Sequence, residues 1–439
     1  MVTPGTTTTT LLRFATAGSV DDGKSTLVGR LLHDSKSVPA DQLASVDQVS
    51  RDRGGEGIDL ALLTDGLRDE REQGITIDVA YRYFATPRRR FILADTPGHV
   101  QYTRNMATGA STAELAIILV DARHGVVEQT RRHAAITALL RVPHVTLAVN
   151  KMDLVDWSER RFREIADQFN AYTDTLGLPR VTEIPIAALT GDNVVEPSAR
   201  MPWYDGPTVL EHLESVPVSH DPASFPGRFP VQYVIRPRGS AHAHYRGYAG
   251  QVASGVLRVG DRVTVLPAGT TSTITGIDAL GDSVPAAWAR QSVTIRLADD
   301  LDVARGDLIA PADSAPTPTR AVDAMACHVA ARPLAVGDRV LLRTTTRTVK
   351  AIVEGIEVQP GVEDAARWAG EGGRPADRLA VNEIGRLALR TAEPLAVDAY
   401  ADCRSTGSFL LIDPSDGATL TAGMVRSAPR ADGLPDWGW

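Results

Sequence analysis

One stretch of the sequence, Gly18-Ser19-Val20-Asp21-Asp22-Gly23-Lys24-Ser25-Thr26, matches the phosphate-binding pattern Gly-x-x-x-x-Gly-Lys-Ser/Thr. Its two glycines allow the backbone to wrap closely around phosphate oxygens, so that amide N–H groups point inward. Lys24 is expected to neutralise charge that builds on the phosphates, and Ser25 to present its hydroxyl to Mg²⁺. Thr26 lies at the start of the following helix, where we expect it to contact the α-phosphate.

Three further motifs follow this loop in the order in which a GTPase core lays out its nucleotide contacts. They are Gly74-Ile75-Thr76, Asp95-Thr96-Pro97-Gly98-His99 and Asn150-Lys151-Met152-Asp153. A lone match to the loop pattern is expected by chance in roughly one chain in a hundred or fewer. Four matches in order make coincidence negligible, so the sequence predicts a core that binds and hydrolyses GTP.

The second and third motifs are predicted to handle the γ-phosphate and the metal. Thr76 is expected to be the second Mg²⁺ ligand, in a loop that the γ-phosphate orders and that hydrolysis releases. Asp95 is expected to reach Mg²⁺ through a water molecule, and the Gly98 N–H to bind the γ-phosphate. His99 takes the place of the glutamine that orients the attacking water in Ras-type GTPases. The predicted catalytic residues are His99, Lys24 and Thr76.

The fourth motif is predicted to recognise the base. Asp153 can accept hydrogen bonds from guanine N1–H and the 2-amino group, donors that adenine does not offer in this geometry, and such sites can discriminate by about 10⁴ or more. Lys151 is expected to stack its stem on the base, and Asn150 to tie the pocket to the phosphate loop. The segment Ala187-Ala188-Leu189 is expected to close over guanine through its backbone, although GTPases commonly begin this element with serine.

The predicted ligands are therefore GTP and Mg²⁺. The predicted GTP-binding residues are Gly18, Ser19, Val20, Asp21, Asp22, Gly23, Lys24, Ser25, Thr26, Asp95, Thr96, Pro97, Gly98, His99, Asn150, Lys151, Met152, Asp153, Ala187, Ala188 and Leu189. The predicted metal ligands are Ser25, Thr76 and, through water, Asp95.

The first half of the chain alternates strand and helix patterns. Strands are predicted at 11–17, 90–94, 114–120, 145–149 and 182–187, and helices at 24–33, 128–140 and 158–176. This alternation predicts parallel strands joined by crossover helices. The motifs follow the carboxyl ends of strands, which is where ligands bind in open α/β sheets.

The second half changes to short alternating strands with Gly-Asp turns after a proline-rich linker at 215–230, and a second linker is predicted at 310–320. Val259-Gly260-Asp261-Arg262-Val263 resembles Val336-Gly337-Asp338-Arg339-Val340, which favours two related barrels over convergent turn chemistry. The predicted fold is an α/β P-loop GTPase domain followed by two β-barrel domains. The predicted divisions are a flexible N-terminus at 1–10, the GTPase domain at 11–216, barrels at 217–312 and 313–426, and a tail at 427–439.

Composition bounds the class of protein. A length of 439 residues with 43% hydrophobic residues predicts several domains with buried cores. A net charge of −8 disfavours a nucleic-acid partner. No apolar run approaches the roughly 20 residues of a membrane helix, and the N-terminus lacks signal-peptide features. The two cysteines, Cys327 and Cys403, suggest no disulfide framework, so a cytoplasmic location is expected.

The Asp-Thr-Pro-Gly-His motif and the plan of a GTPase domain with two barrels resemble translational GTPases such as elongation factor Tu. More specific segments resemble the GTPase large subunit of bacterial sulfate adenylyltransferase (ATP sulfurylase). These are Asp21-Asp22 in the loop, EREQGITIDVAYRYF at 70–84, QYTRNMATGAS at 101–111 and FPVQYV at 229–234. The resemblance covers roughly residues 11–426.

This resemblance implies a mechanism. Sulfate attacks the α-phosphorus of ATP, giving adenosine 5′-phosphosulfate and pyrophosphate, and GTP hydrolysis is coupled to that uphill step. ATP and sulfate are expected on a separate small catalytic subunit, in a heterodimer or higher oligomer. Val20 and Ile75 are expected to form an apolar gate beside His99, which the partner complex opens.

Two other readings remain open from the residues. A translation-type GTPase would bind aminoacyl-tRNA, and a stand-alone regulatory GTPase would have no evident use for the barrels. Some members of the resembling family carry a fused adenylylsulfate kinase, which needs its own phosphate loop. No second such loop occurs in the sequence, so that activity is expected to be absent.

Overall fold

The computed structural model describes residues 10–38, 44, 46, 60–63, 79–98, 103–178, 181–217, 225–237, 245–359 and 373–426. Within these ranges the chain forms two compact units, one up to residue 217 and one from residue 225 onwards. None of the helices in these ranges combines the length and apolar character needed to cross a membrane.

The first unit is a sheet flanked by helices. Its strands are β1 (Thr10–Ala17), β2 (Ala80–Ala85), β3 (Arg89–Asp95), β4 (Leu115–Asp121), β5 (His144–Asn150) and β6 (Thr182–Pro185). Its α-helices are α1 (Lys24–Asp34), α2 (Thr103–Ser111), α3 (Glu128–Leu139), α4 (Glu159–Thr175) and α5 (Val209–Ser215), and 3₁₀ turns lie at Leu60–Leu63 and Met152–Val155. The strand order is β2-β3-β1-β4-β5-β6.

The predicted parallel arrangement is confirmed for five of these strands. β1 pairs in parallel with β3 and β4, and β4, β5 and β6 follow in parallel register. β4 is buried along its whole length, as expected for a parallel strand that lies inside the sheet. The carboxyl ends of β1, β3, β4 and β5 therefore meet at one edge of the sheet, where each of the described motifs begins.

The strand at the edge of the sheet, β2, was not predicted. β2 pairs antiparallel with β3, with Tyr81 opposite Ala94. The connection is too short for a crossover, which needs a dozen or more residues. Thr86 closes the turn instead, because its hydroxyl accepts hydrogen bonds from the N–H groups of Arg88 and Arg89 at 3.3 and 3.2 Å.

The second unit contains two closed barrels of six strands, as predicted. Its strands up to residue 311 are β7 (Phe229–Ile235), β8 (Gly247–Gln251), β9 (Val256–Arg258), β10 (Arg262–Leu266), β11 (Thr270–Ala279), β12 (Asp282–Val284), β13 (Ala286–Trp288), β14 (Ser292–Leu297) and β15 (Leu308–Pro311). The first barrel runs β10-β15-β7-β8-β14-β11 and closes by pairing of β11 with β10. Phe229, Tyr248 and Ile295 lie in its buried core.

The second barrel repeats this plan. Its strands are β16 (Thr319–His328), β17 (Leu334–Ala335), β18 (Arg339–Thr344), β19 (Arg347–Val358), β20 (Arg374–Pro375), β21 (Arg378–Leu379), β22 (Ile384–Leu395), β23 (Ser408–Ile412) and β24 (Thr419–Val425). The ring is β18-β23-β24-β16-β22-β19 and closes by pairing of β19 with β18. The linker predicted at 310–320 is too long, because Leu308–Pro311 and Thr319–His328 are strands.

The repeated sequence motif forms the same turn in both barrels. Gly260 and Gly337 have φ values of +96° and +90°, a left-handed conformation that glycine adopts without strain. Asp261 accepts a hydrogen bond from the Arg258 N–H at 2.7 Å, and Asp338 accepts one from the Ala335 N–H at 3.0 Å. Matching hydrogen bonds at matching positions support two related barrels over unrelated turns.

Candidate functional site

The loop predicted to bind phosphate connects the central strand β1 to the first helix α1. Gly23 precedes the helix with φ +92°, and Asp21 also has a positive φ of +68°. A Cβ built on Gly23 would overlap the side-chain amide of Asn150, and one built on Gly18 would lie 3.1 Å from Leu119. Both glycines are therefore needed to bring the loop backbone close to the neighbouring motifs.

Lys24 lies inside this loop. Its ammonium donates hydrogen bonds to the carbonyl oxygens of Gly18 at 2.8 Å and Ser19 at 2.7 Å. Burial lowers the pKa of Lys24, against the raising effect of the nearby Asp95 and Asp22 carboxylates. Lys24 is thus held by the loop that it is predicted to serve.

Asp22 is the loop residue by which the sequence departs from translation factors. Its carboxylate accepts a hydrogen bond from the Ser19 N–H at 2.5 Å, which closes the loop on itself. Burial raises the pKa of Asp22, and the charge of Lys24 opposes that rise. An acceptor at position 22 therefore contributes to the shape of the loop.

The third motif lies directly against the loop. Gly98 approaches so closely that a Cβ there would overlap the Lys24 ammonium and the Gly18 carbonyl oxygen. Asp95 is buried at the end of β3, where the hydroxyl of Thr16 donates a hydrogen bond to it at 3.0 Å. Thr96 in turn donates to the Thr16 carbonyl at 2.5 Å. Thr16 was missed because a threonine inside a strand carries no local signal of function.

Asn150 joins the phosphate loop to the predicted base-binding loop. Its amide nitrogen donates to the Asp22 carbonyl at 2.7 Å, and its oxygen accepts from the Ala188 N–H at 3.0 Å. Both hydrogen bonds are buried and link residues 128 and 38 positions apart. The sequence prediction that Asn150 ties the pocket together agrees with this geometry.

Lys151 makes a second link to the phosphate loop. Its ammonium donates a short hydrogen bond to the Asp21 carbonyl and lies 2.9 Å from Asp121 Oδ2. Asp121, at the end of β4, also accepts hydrogen bonds from the N–H and guanidinium of Arg123, at 2.9 Å and 2.6–3.2 Å. Asp121 and Arg123 were missed, because Asp121 shares with Asp95 a place at the end of a buried strand but belongs to none of the four motifs.

The other residues predicted to bind the base differ in how far they are buried. Met152 is buried, while Asp153 is half-buried and its carboxylate makes no side-chain hydrogen bond to the described residues. Ala187 and Ala188 are buried, and the Leu189 side chain is 70% exposed. The two loops thus offer a half-buried carboxylate acceptor and an exposed apolar side chain, groups that suit a planar base with hydrogen-bond donors.

Several predicted residues cannot be placed. Thr76, Ile75 and His99 lie outside the described residues. Val20, the described half of the predicted apolar gate, is 39% exposed. Ser25 and Thr26 lie in the first turn of α1, and Pro97 is buried beside Gly98. Within the described residues no cluster of three or more His, Cys, Asp or Glu side chains is arranged to hold a metal.

Two models of protein families match parts of this chain. A family model described as the elongation factor Tu GTP binding domain matches residues 9–221, and one described as GTP-eEF1A C-terminal domain-like matches residues 321–426. The protein "Bifunctional enzyme CysN/CysC" of Mycobacterium tuberculosis is 56% identical over 418 residues, which is 95% of this chain and 67% of that protein.

Two relatives named "Sulfate adenylyltransferase subunit 1" match most of their own length. The protein of Laribacter hongkongensis is 48% identical over 430 residues, covering 97% of this chain and 87% of that protein. That of Shewanella oneidensis is 48% identical over 424 residues, covering 95% and 85%. The chain therefore belongs to the sulfate adenylyltransferase subunit 1 family, with a GTP-binding domain of the elongation factor Tu type.

Proposed function

We propose that this chain is the GTP-hydrolysing subunit of a sulfate adenylyltransferase and couples GTP hydrolysis to the formation of adenosine 5′-phosphosulfate. Membership of the subunit 1 family supports the sulfate reaction. One geometric observation carries the nucleotide part: Asn150 bonds at once to the phosphate loop and to the loop predicted to cover the base. A single side chain that holds both halves fits a ligand with a base at one end and phosphates at the other.

Base selection rests on Asp153 in this proposal. Its carboxylate makes no side-chain hydrogen bond to the described residues, so it can accept from guanine N1–H and the 2-amino group. Adenine would leave the carboxylate without those donors, and sites of this kind discriminate by about 10⁴ or more. The stem of Lys151 and the exposed Leu189 side chain would contact the two faces of the ring.

The phosphate end is formed by backbone and by Lys24. The absence of a side chain at Gly98 lets its backbone approach the Lys24 ammonium and the Gly18 carbonyl, and the absence of one at Gly23 leaves room for the Asn150 amide. Amide N–H groups in such a cradle bind phosphate oxygens, and the ammonium neutralises charge that develops as the γ-phosphate leaves. The Gly98 N–H would bind the γ-phosphate in this arrangement.

The donor set also fits Mg²⁺. Hydroxyl and carboxylate oxygens are the ligands that Mg²⁺ prefers, often through retained water. Ser25 and Thr76 would hold the ion directly and Asp95 through water, with Thr16 fixing the Asp95 carboxylate. Bound Mg²⁺ would supply charge neutralisation between the β- and γ-phosphates. His99 would orient the attacking water.

The partner is proposed to be a small catalytic subunit that holds ATP and sulfate. A sulfate oxygen attacks the α-phosphorus of ATP, the new P–O–S bridge forms, and pyrophosphate leaves with the bonding electrons. GTP hydrolysis on this chain drives that uphill exchange.

We retain the proposed divisions at 11–216, 217–312 and 313–426, which the change from mixed sheet to barrels supports.

The test is pyrophosphate release from ATP and sulfate by the chain copurified with its candidate small subunit, with and without GTP. Release that needs both sulfate and this chain, and that rises with GTP, is expected. The matched control is Asp153→Asn, which should lose the GTP effect while the small subunit stays bound. If GTP is hydrolysed while sulfate and the small subunit change nothing, the sulfate reaction is wrong, and a tRNA gel shift at physiological salt becomes the next measurement.

A further inference from the structure

Arg30 reaches from the first helix to the base-binding loop. It lies on α1, six residues after Lys24, and its side chain is 19% exposed. The guanidinium donates from Nε to the Ala188 carbonyl at 3.2 Å and from NH2 to the Leu189 carbonyl at 2.5 Å. These partners are 158 and 159 positions away in sequence, and no motif singled Arg30 out.

Among the described residues, hydrogen bonds reach Ala188 and Leu189 from two side chains outside their loop, Asn150 and Arg30. Turn hydrogen bonds join Ala187 to Asp192 and Gly191 within the loop. From outside, Asn150 holds the Ala188 N–H, while Arg30 holds the two successive carbonyls. The peptide groups on either side of Ala188 are thus fixed from opposite directions.

The geometry suits a guanidinium. The planar fork of arginine can donate to two adjacent carbonyls at once, which the single ammonium of lysine does less well. The turn at Gly191, where φ is +90°, passes beside the same group, since a Cβ built there would lie 3.6–3.8 Å from the Arg30 side chain. The remaining nitrogen faces Asp34 at 3.6 Å along the helix.

We propose that Arg30 is a positioning residue for guanine recognition, a role that rests on the proposed function of the site. By holding both carbonyls it sets where the Ala188 backbone and the Leu189 side chain meet the base. Because α1 begins at Lys24, the same helix then fixes the phosphate end and the base end of the nucleotide.

The competing explanation is that Arg30 only stabilises α1 through Asp34. The Arg30–Asp34 pair is 3.6 Å apart on one helix and partly exposed to solvent, and pairs of this kind contribute little. The variants Arg30→Ala and Arg30→Lys remove the fork, whereas Asp34→Ala removes the ion pair and leaves both carbonyl contacts intact. Comparison of the three separates recognition of the base from helix stability.

The experiment follows release of a fluorescent GDP analogue from the full chain, together with KM and kcat for GTP hydrolysis. We expect Arg30→Ala to raise the release rate and KM by about tenfold or more, as for loss of charge-assisted hydrogen bonds. Arg30→Lys should lie between Arg30→Ala and the parent, Asp34→Ala should stay within about twofold, and kcat should hold in all three.

Thermal unfolding of the nucleotide-free proteins shows which of the variants fold. If Arg30→Ala releases GDP at the parent rate, Arg30 does not position the loop. The same conclusion follows if Asp34→Ala raises the release rate as much as Arg30→Ala does. If Arg30→Ala fails to fold, Arg30→Lys decides, because it keeps the charge and the stem. Failure of the parent itself to bind guanine nucleotide would refute the proposed function instead.

Discussion

Asp121 and Lys151 form an ion pair of 2.9 Å between the ends of neighbouring strands, with the Asp121 carboxylate 1% exposed. Burial alone would raise the pKa of Asp121, but hydrogen bonds from Arg123 and Lys151 outweigh that effect and bring the pKa below its ordinary range. The charged carboxylate therefore persists where it can hold the ammonium of Lys151. The ammonium in turn contacts the Asp21 carbonyl of the phosphate loop.

Replacing Asp121 should weaken nucleotide binding, although Asp121 is not one of the predicted nucleotide contacts. In Asp121→Ala the Lys151 ammonium loses its anchor, and we expect binding of GDP to weaken by about 1.5–3 kcal/mol, the value of a charge-assisted hydrogen bond. Asp121→Asn should fall between this variant and the parent, because one acceptor oxygen remains. Titration calorimetry gives the values, with Arg163→Ala at an exposed helix pair as control. Equal affinity for Asp121→Ala and the control would contradict the role.

Substitution of Gly23 can separate the effect of an overlapping Cβ from the effect of backbone strain. Gly23 and Gly260 have φ values of +92° and +96°, so alanine carries a similar backbone penalty at both, on the order of 1 kcal/mol. Only at Gly23 would the added Cβ overlap Asn150, whereas nothing lies within 4 Å of a Cβ at Gly260. Gly23→Ala should therefore lose GTP binding and Gly260→Ala should keep it. Equilibrium binding of both variants decides, and comparable affinities would show that the close approach is not required.

A buried ion pair joins the two barrels. Arg228 and Asp398 share two contacts of 2.9 Å, and Thr406 and the Ser314 carbonyl complete their hydrogen bonds. Arg228→Met should lower the free energy of unfolding by about 3–5 kcal/mol, because Asp398 would remain buried and charged without its partner.

Urea unfolding provides the measurement for this pair. Arg390→Ala, at the exposed pair with Glu354, should cost under about 1 kcal/mol and serves as the control. Adding Asp398→Asn to Arg228→Met should recover part of the loss, since the buried charge is then gone. Additive losses in the double variant would show that the two side chains are not coupled.

His133 should make stability depend on pH. It is buried on α3, its Nδ1 has no hydrogen-bond partner among the described atoms, and burial lowers its pKa to about 3. The unfolded chain takes up this proton near pH 6.5, and the folded protein does not until far lower pH. The contribution of His133 to stability is therefore fully present above about pH 6.5. Below that pH the free energy of unfolding falls by roughly 1.4 kcal/mol per pH unit.

Replacing the imidazole should flatten that pH dependence. Between pH 7 and pH 5, the parent should lose roughly 2 kcal/mol more than His133→Leu. Chemical denaturation at both pH values gives the difference, which does not depend on the stability that the substitution itself changes at pH 7. Parallel losses in the two proteins would mean that His133 titrates normally.

The motifs made much of the site predictable from sequence. Gly18, Gly23 and Asn150 belong to short motifs, which a sequence displays directly even where, as for Asn150, the partners are distant. The strands were predictable for a similar reason, since buried parallel strands such as β4 appear as unbroken apolar runs. Thr76 and His99 stay predictions, because they lie outside the described residues.

What the sequence hid are residues whose partners are distant in the chain. Arg30 and Thr16 acquire their roles from contacts 79 to 159 positions away, and nothing beside them in sequence marks them. The antiparallel β2 escaped prediction because an alternating exposed strand has a weak apolar signal. The linker predicted at 310–320 was too long, because one strand ends at Pro311 and the next begins at Thr319 despite the prolines around them.

Closure of the barrels has a consequence for association between copies of the chain. A strand in a closed ring has no unpaired edge, and the described strands outside the two rings of the second unit are only two or three residues long. In the first unit β6 is short and ends on Pro185, which lacks an N–H, while β2 presents a six-residue edge. Within the described residues, intermolecular strand addition would therefore begin at β2, on the nucleotide-binding unit.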